Sequence, residues 1–71
     1  MQQQHVEHSP DYEIAFQAGA DVALGTPGLT HDNVVRQAGY WYRQVTVLDL
    51  DMNTAIAGFV RGYEMQDGGF I

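Results

Sequence analysis

Ser9-Pro10-Asp11-Tyr12-Glu13-Ile14-Ala15-Phe16-Gln17-Ala18-Gly19-Ala20-Asp21-Val22-Ala23-Leu24-Gly25 carries a helix start, a helical repeat and a helix stop in one run. Serine accepts from the free amides of a first turn, and proline suits the first helical position because its missing amide needs no partner there. Asp11 and Glu13 lie at the positive end of the helix dipole. At about 100° per residue, Tyr12, Ala15, Phe16, Gly19, Val22 and Ala23 share one face, and Glu13, Gln17 and Asp21 lie opposite. Gly25 and the turn Thr26-Pro27-Gly28 end the run, which predicts a helix over 10–24. Ile14 and Leu24 fall on the polar side, where a small domain gains little by leaving them wet.

Leu29-Thr30-His31-Asp32-Asn33 opens a second helix, with Thr30 as its cap and Asp32 set against the dipole. Val34, Val35, Ala38, Trp41, Tyr42 and Val45 make its apolar face, placing it over 31–45. On the other side Arg36, Tyr40 and Arg43, spaced i, i+4, i+7, form one ridge. Val45-Thr46-Val47-Leu48 is β-branched, which allows a short extended segment near 46–48 or a buried connector. Asp49 or Asp51 then caps a third helix over 51–66, with Met52, Ala55, Ile56, Phe59, Val60 and Tyr63 as its inward stripe and Gly68-Gly69 as its stop. The predicted fold is therefore all-α: residues 1–8 a flexible, disordered tail and residues 9–71 a single small three-helix domain. Phe16, Trp41, Ile56 and Phe59 are expected to be the most buried side chains.

Gly19, Gly39, Gly58 and Gly62 stand inside these helices, each costing ~1 kcal/mol relative to alanine. Close approach of one helix to another is the expected compensation. Ala15-Phe16-Gln17-Ala18-Gly19 and Ala57-Gly58-Phe59-Val60-Arg61-Gly62-Tyr63 both set aromatic residues beside glycines. Over these two segments alone the chain resembles short helical proteins that bind ribosomes during stationary phase, which pair glycine-aromatic helices. Those proteins are strongly basic, so their function is not carried over to an acidic chain.

With 71 residues the chain buries only ~60% of the surface that its unfolded form exposes and is marginal as a monomer. It has no cysteine, so disulfides and thiolate zinc sites do not contribute, and packing or self-association must. Nine acidic residues face three arginines and no lysine, for a formal net charge of −6. That balance disfavours direct binding to nucleic acid or to an anionic membrane, and it steers the chain toward basic surfaces. Met1-Gln2-Gln3-Gln4-His5 is not a secretory signal, and no apolar run is long enough to span a bilayer, so a cytoplasmic location is expected.

Residues with chemical potential read more simply as structure. His5, Glu7 and His8 are metal-ligand types without a fixed frame. His31 beside Asp32 has no nucleophile and no third partner, and Thr30 and Asp32 are helix-start residues. Asp49 and Asp51 lack the glycine and downstream glutamate of a calcium loop. No metal, cofactor or catalytic role is assigned. The expected function is binding to another macromolecule so as to modulate it, as an accessory, inhibitor or adaptor. The candidate contacts are the Arg36-Tyr40-Arg43 ridge, the off-face apolar pair Ile14 and Leu24, and the acidic residues Asp11, Asp21, Glu64 and Asp67. A sharper form is nucleic-acid mimicry, common in proteins of phages and mobile elements, in which carboxylates imitate phosphates and occupy a partner's basic channel. The competing class is a structural, self-assembling protein, in which a homodimer buries Tyr40 with Ile14 or Leu24.

Overall fold

Each helix begins on a side chain that accepts from an otherwise unpaired amide. Ser9 Oγ accepts from the Tyr12 amide at 3.3 Å and starts α1, Pro10–Gly25. Thr30 Oγ1 accepts from the Asn33 amide at 3.3 Å and starts α2, His31–Gln44. Asp51 accepts from the Thr54 amide at 3.0 Å and starts α3, Met52–Asp67. The third helix stops at Gly68, whose φ of 86° only glycine adopts without strain, and the amides of Gly68 and Gly69 both return to the Glu64 carbonyl. The computed structural model describes residues 9–70 and bears out the all-α, three-helix reading; the expected tail over 1–8 lies outside the described residues.

Thr46–Leu48 is a 3-10 turn, which corrects both the extended segment and the buried connector expected there. No strand exists among the described residues to pair with it. The backbone closes on itself instead: the Leu48 amide donates to the Val45 carbonyl at 2.9 Å and the Asp49 amide to the Thr46 carbonyl at 3.0 Å. Asp49 ends the turn in the left-handed region, φ 53°, a conformation a short polar side chain tolerates. The chain is thereby redirected so that Leu50 enters the core while Val47 stays 89% exposed.

The direction of the helices follows from contacts at their ends. Asp11 accepts from the Asp51 amide at 2.9 Å at one end, and Asp67 accepts from the Gly28 amide at 3.2 Å at the other, so α1 and α3 run parallel. Trp41 packs on Phe59, and the Tyr42 hydroxyl donates to the Leu50 carbonyl at 2.9 Å, so α2 returns antiparallel. α3 lies between the other two; it packs along α1 over their length and on α2 less extensively, while α1 and α2 make almost no contact. The result is a flattened molecule of 36 × 28 × 17 Å.

Glycine explains the tight pairing of α1 and α3. A Cβ on Gly58 would stand 2.7 Å from the Tyr12 carbonyl oxygen, one on Gly19 would overlap the Phe59 carbonyl, and one on Gly62 the Phe16 carbonyl. The helices therefore touch backbone to backbone through Ala15, Gly19, Ala23, Ala55, Gly58 and Gly62, all buried. Such a seam has no room for a ring at its centre. Phe16 is displaced to the rim, tilted on Tyr12 at 6.1 Å between centroids, and is only half-buried, as are Trp41 and Ile56. Of the four side chains expected to be most buried, Phe59 alone is fully so; Tyr63 and Val34 are the others of that kind. Gly39 departs from the expectation of close approach, because nothing lies within 4 Å of the Cβ it lacks.

The same substitution at two glycines should therefore have opposite signs. Gly39→Ala should stabilise by roughly 0.5–1 kcal/mol through helix propensity, and Gly62→Ala should destabilise by about 1–3 kcal/mol or more through overpacking. In a domain of this size, thermal melts should separate the two variants by about 4–8 °C for each kcal/mol. A second test concerns pH. The backbone hydrogen bond from Thr54, then that residue's side chain, hold the Asp51 carboxyl below the usual aspartate range. A depressed folded-state value means that this contribution is present above the unfolded value and is lost as pH falls through the folded one, below about pH 4. Asp51→Asn keeps an N-cap acceptor without the titration, so its melting temperature should fall less steeply with acid than that of the wild type.

Candidate interaction surface

Helical spacing decides which side chains α2 shows to solvent. Val34 and Ala38 are buried, with Trp41, Tyr42 and Val45 half-buried beside them. At ~100° per residue the opposite direction is that of Arg36, Tyr40 and Arg43. All three are exposed, Tyr40 by 48%. Among the described residues neither arginine has a carboxylate within ion-pair distance, whereas Arg61 lies 3.2 Å from Glu64. A rise of 1.5 Å per residue puts the two free guanidiniums roughly 10 Å apart along one rigid helix with a phenol between them.

The corresponding side of α1 is the one turned away from Ala15, Gly19 and Ala23. It carries Ile14, Gln17, Asp21 and Leu24, all exposed, Ile14 by 42% and Leu24 by 68%. The ridge and this apolar pair thus sit on different helices, and one copy of the chain cannot cover Tyr40 with its own Ile14 or Leu24.

The acidic candidates divide differently. Asp11 is half-buried and holds the Asp51 amide, Asp67 holds the Gly28 amide, and Glu64 is paired with Arg61. Asp21 alone of the four is exposed. No local signal marks Asp11 and Asp67 as reaching the backbone 40 and 39 residues away. They tie the two ends of the α1/α3 pair together.

No family model, curated protein or solved structure matches the chain.

The frame that presents the ridge includes a polar group within the apolar stripe of α3, the Tyr63 hydroxyl. The buried Tyr63 places its hydroxyl between two backbone groups of the loop that leads into α2. It accepts from the Leu29 amide at 2.9 Å and donates to the Thr26 carbonyl at 2.7 Å. Phe70 folds back to stack on Tyr63 at 6.0 Å, and its ring also meets the edge of His31 at 5.1 Å. His31 thus sets one edge of its ring against Phe70 while staying largely exposed, and its neighbour Asp32 lies in solvent 4.0 Å away. Among the described residues no group of three or more His, Asp or Glu side chains comes together to hold a metal ion, and no helix is long and apolar enough to cross a membrane. His5, Glu7 and His8 lie outside the described residues.

Tyr63→Phe should keep the ring and lose both hydrogen bonds, leaving the Leu29 amide without its acceptor at a cost of ~1–3 kcal/mol. Native-state hydrogen exchange should show the Leu29 amide losing protection first, with the first turn of α2. Unchanged exchange there would mean that the loop is held by something other than this hydroxyl.

Proposed function

We propose that the chain is a non-catalytic binding protein of the cytoplasm that docks on another macromolecule through the outward face of α2, with Arg36, Tyr40 and Arg43 as the contact. One observation carries the reading. In a chain with nine carboxylates for three arginines, both arginines of this face have no ion-pair partner among the described residues and stand one on each side of a half-exposed tyrosine. Guanidinium and phenol groups are the side chains most often found at binding hot spots, and a helix presents them without the cost of ordering a loop. The partner that fits offers carboxylates spaced about one and a half to two helical turns apart beside an apolar or amide surface.

Nucleic-acid mimicry receives less support. It needs carboxylates free to act as phosphates, and Asp11, Glu64 and Asp67 have partners within the fold. Its remaining basis is the net charge of −6.

Arg36→Glu with Arg43→Glu tests the reading. Exposed charges contribute little to stability, so the double variant should melt like the wild type. Capture of the partner from a host extract should weaken by about 10-fold or more. Should the double variant bind normally while Asp21→Asn loses binding, the contact is the acidic side of the molecule and this proposal is wrong.

A further inference from the structure

We infer that the partner of the α2 ridge is the outward edge of α1 on a second copy of this chain, so that the protein assembles head to tail. The inference rests on the reading of α2 as a docking face. It starts from charge. The outward edge of α1 joins the apolar residues Ile14 and Leu24 to the carboxylates of Glu13 and Asp21, with Gln17 between them, and all five are exposed. Glu13 and Asp21 are eight residues apart, roughly 12 Å along the axis, and Arg36 and Arg43 are seven apart, roughly 10 Å. An α2 laid against this edge matches each guanidinium with a carboxylate and leaves Tyr40 over Gln17 and its apolar neighbours. One edge is aromatic and basic, the other apolar and acidic. Each is complementary to the other and neither to itself, since two α2 edges in contact would set arginine against arginine.

The fold determines what such a contact builds. α1 packs on the Gly58 and Gly62 side of α3, and α2 packs on its Phe59 and Tyr63 side, about a third of a turn away around the axis. The outward edges of α1 and α2 therefore diverge, and a single neighbour cannot cover both. A contact between two different patches is heterologous: every copy that uses its ridge still offers its acidic edge, so growth passes the dimer and ends only if a ring closes. Where the sequence suggests a homodimer that buries Tyr40 with Ile14 or Leu24, this contact builds an assembly of higher order that buries Tyr40, Ile14 and Leu24.

Sedimentation equilibrium on the full chain at low ionic strength, over a range of concentrations, is the test. The weight-average mass should rise from 7.9 kDa and pass twice that value. The variants R36E/R43E and E13R/D21R, each confirmed as helical by circular dichroism, should stay at the monomer mass at the same concentrations. Mixed in equal amounts they should assemble again, because the acidic α2 of one then meets the basic α1 of the other. A wild-type chain that stays monomeric throughout, a plateau at two copies that neither variant disturbs, or a mixture that does not recover would each overturn the inference. A monomeric wild type whose R36E/R43E variant still loses a captured host protein would remove the second copy as partner and leave the docking face in place. Loss of neither property would remove both.

Discussion

Contact between the backbones of α1 and α3 is the constraint on which the rest of the molecule depends. Two helices normally stand 8–10 Å apart because side chains lie between them. Here Gly19, Gly58 and Gly62 place a carbonyl of one helix where a Cβ of the other would be. The seam is long because α1 and α3 have equal length, 16 residues each, and are held at both ends by carboxylates that reach across to backbone amides. Dispersion contacts are individually small, so a seam of small residues is useful only when it is close and continuous. Glycine supplies the closeness and loses helix propensity in exchange.

Space refused to large side chains at the seam must be found elsewhere, and that explains the position of α2. Phe59 and Tyr63 leave α3 beside the seam, and α2 covers them with Trp41, Val34 and Ala38. Its attachment is narrower than that of α1, and polar anchors mark its two ends: the Tyr63 hydroxyl at the loop before it and the Tyr42 hydroxyl on Leu50 after it. A helix held along one stripe leaves the opposite side free, and the residues there are Arg36, Tyr40 and Arg43. The candidate contact is thus a consequence of how α2 is mounted.

The local signals were legible because they depend on neighbours in sequence. Ser9, Thr30 and Asp51 cap helices for reasons visible within three residues, and Gly68-Gly69 ends one in the same way. What was not legible depends on distance. Phe16 looks like a core residue on a helical wheel, and only the closeness of α3 forces its ring to the rim. Gly39 looks like Gly58 in a sequence, yet one faces open space and the other a carbonyl. Thr46 to Leu48 has the composition of a strand, but strands need partners, and there is none among the described residues. The α2 ridge was readable from spacing alone because exposure on a helix is periodic. The structural duties of Asp11 and Asp67 were not, since charge has no period and either residue might equally have pointed into solvent.

Charge acts on two length scales in this protein, and they oppose each other. A body with a net charge of −6 repels other acidic bodies, including its own copies, but in physiological salt that repulsion fades beyond about 8 Å. Two guanidiniums on one face act inside that distance, where geometry decides which carboxylates they meet. The general repulsion, felt only on close approach, disfavours contact with nucleic acid, anionic membranes and other acidic proteins, while the geometry of the ridge favours an edge with matching spacing. A lysine-rich surface would have reversed this order, attracting many partners at a distance and choosing poorly at contact. Of the three arginines Arg61 is paired within α3, and the two without an ion-pair partner among the described residues share one face of α2. On the proposed function, a partner docking at that face is selected by shape first and by charge second.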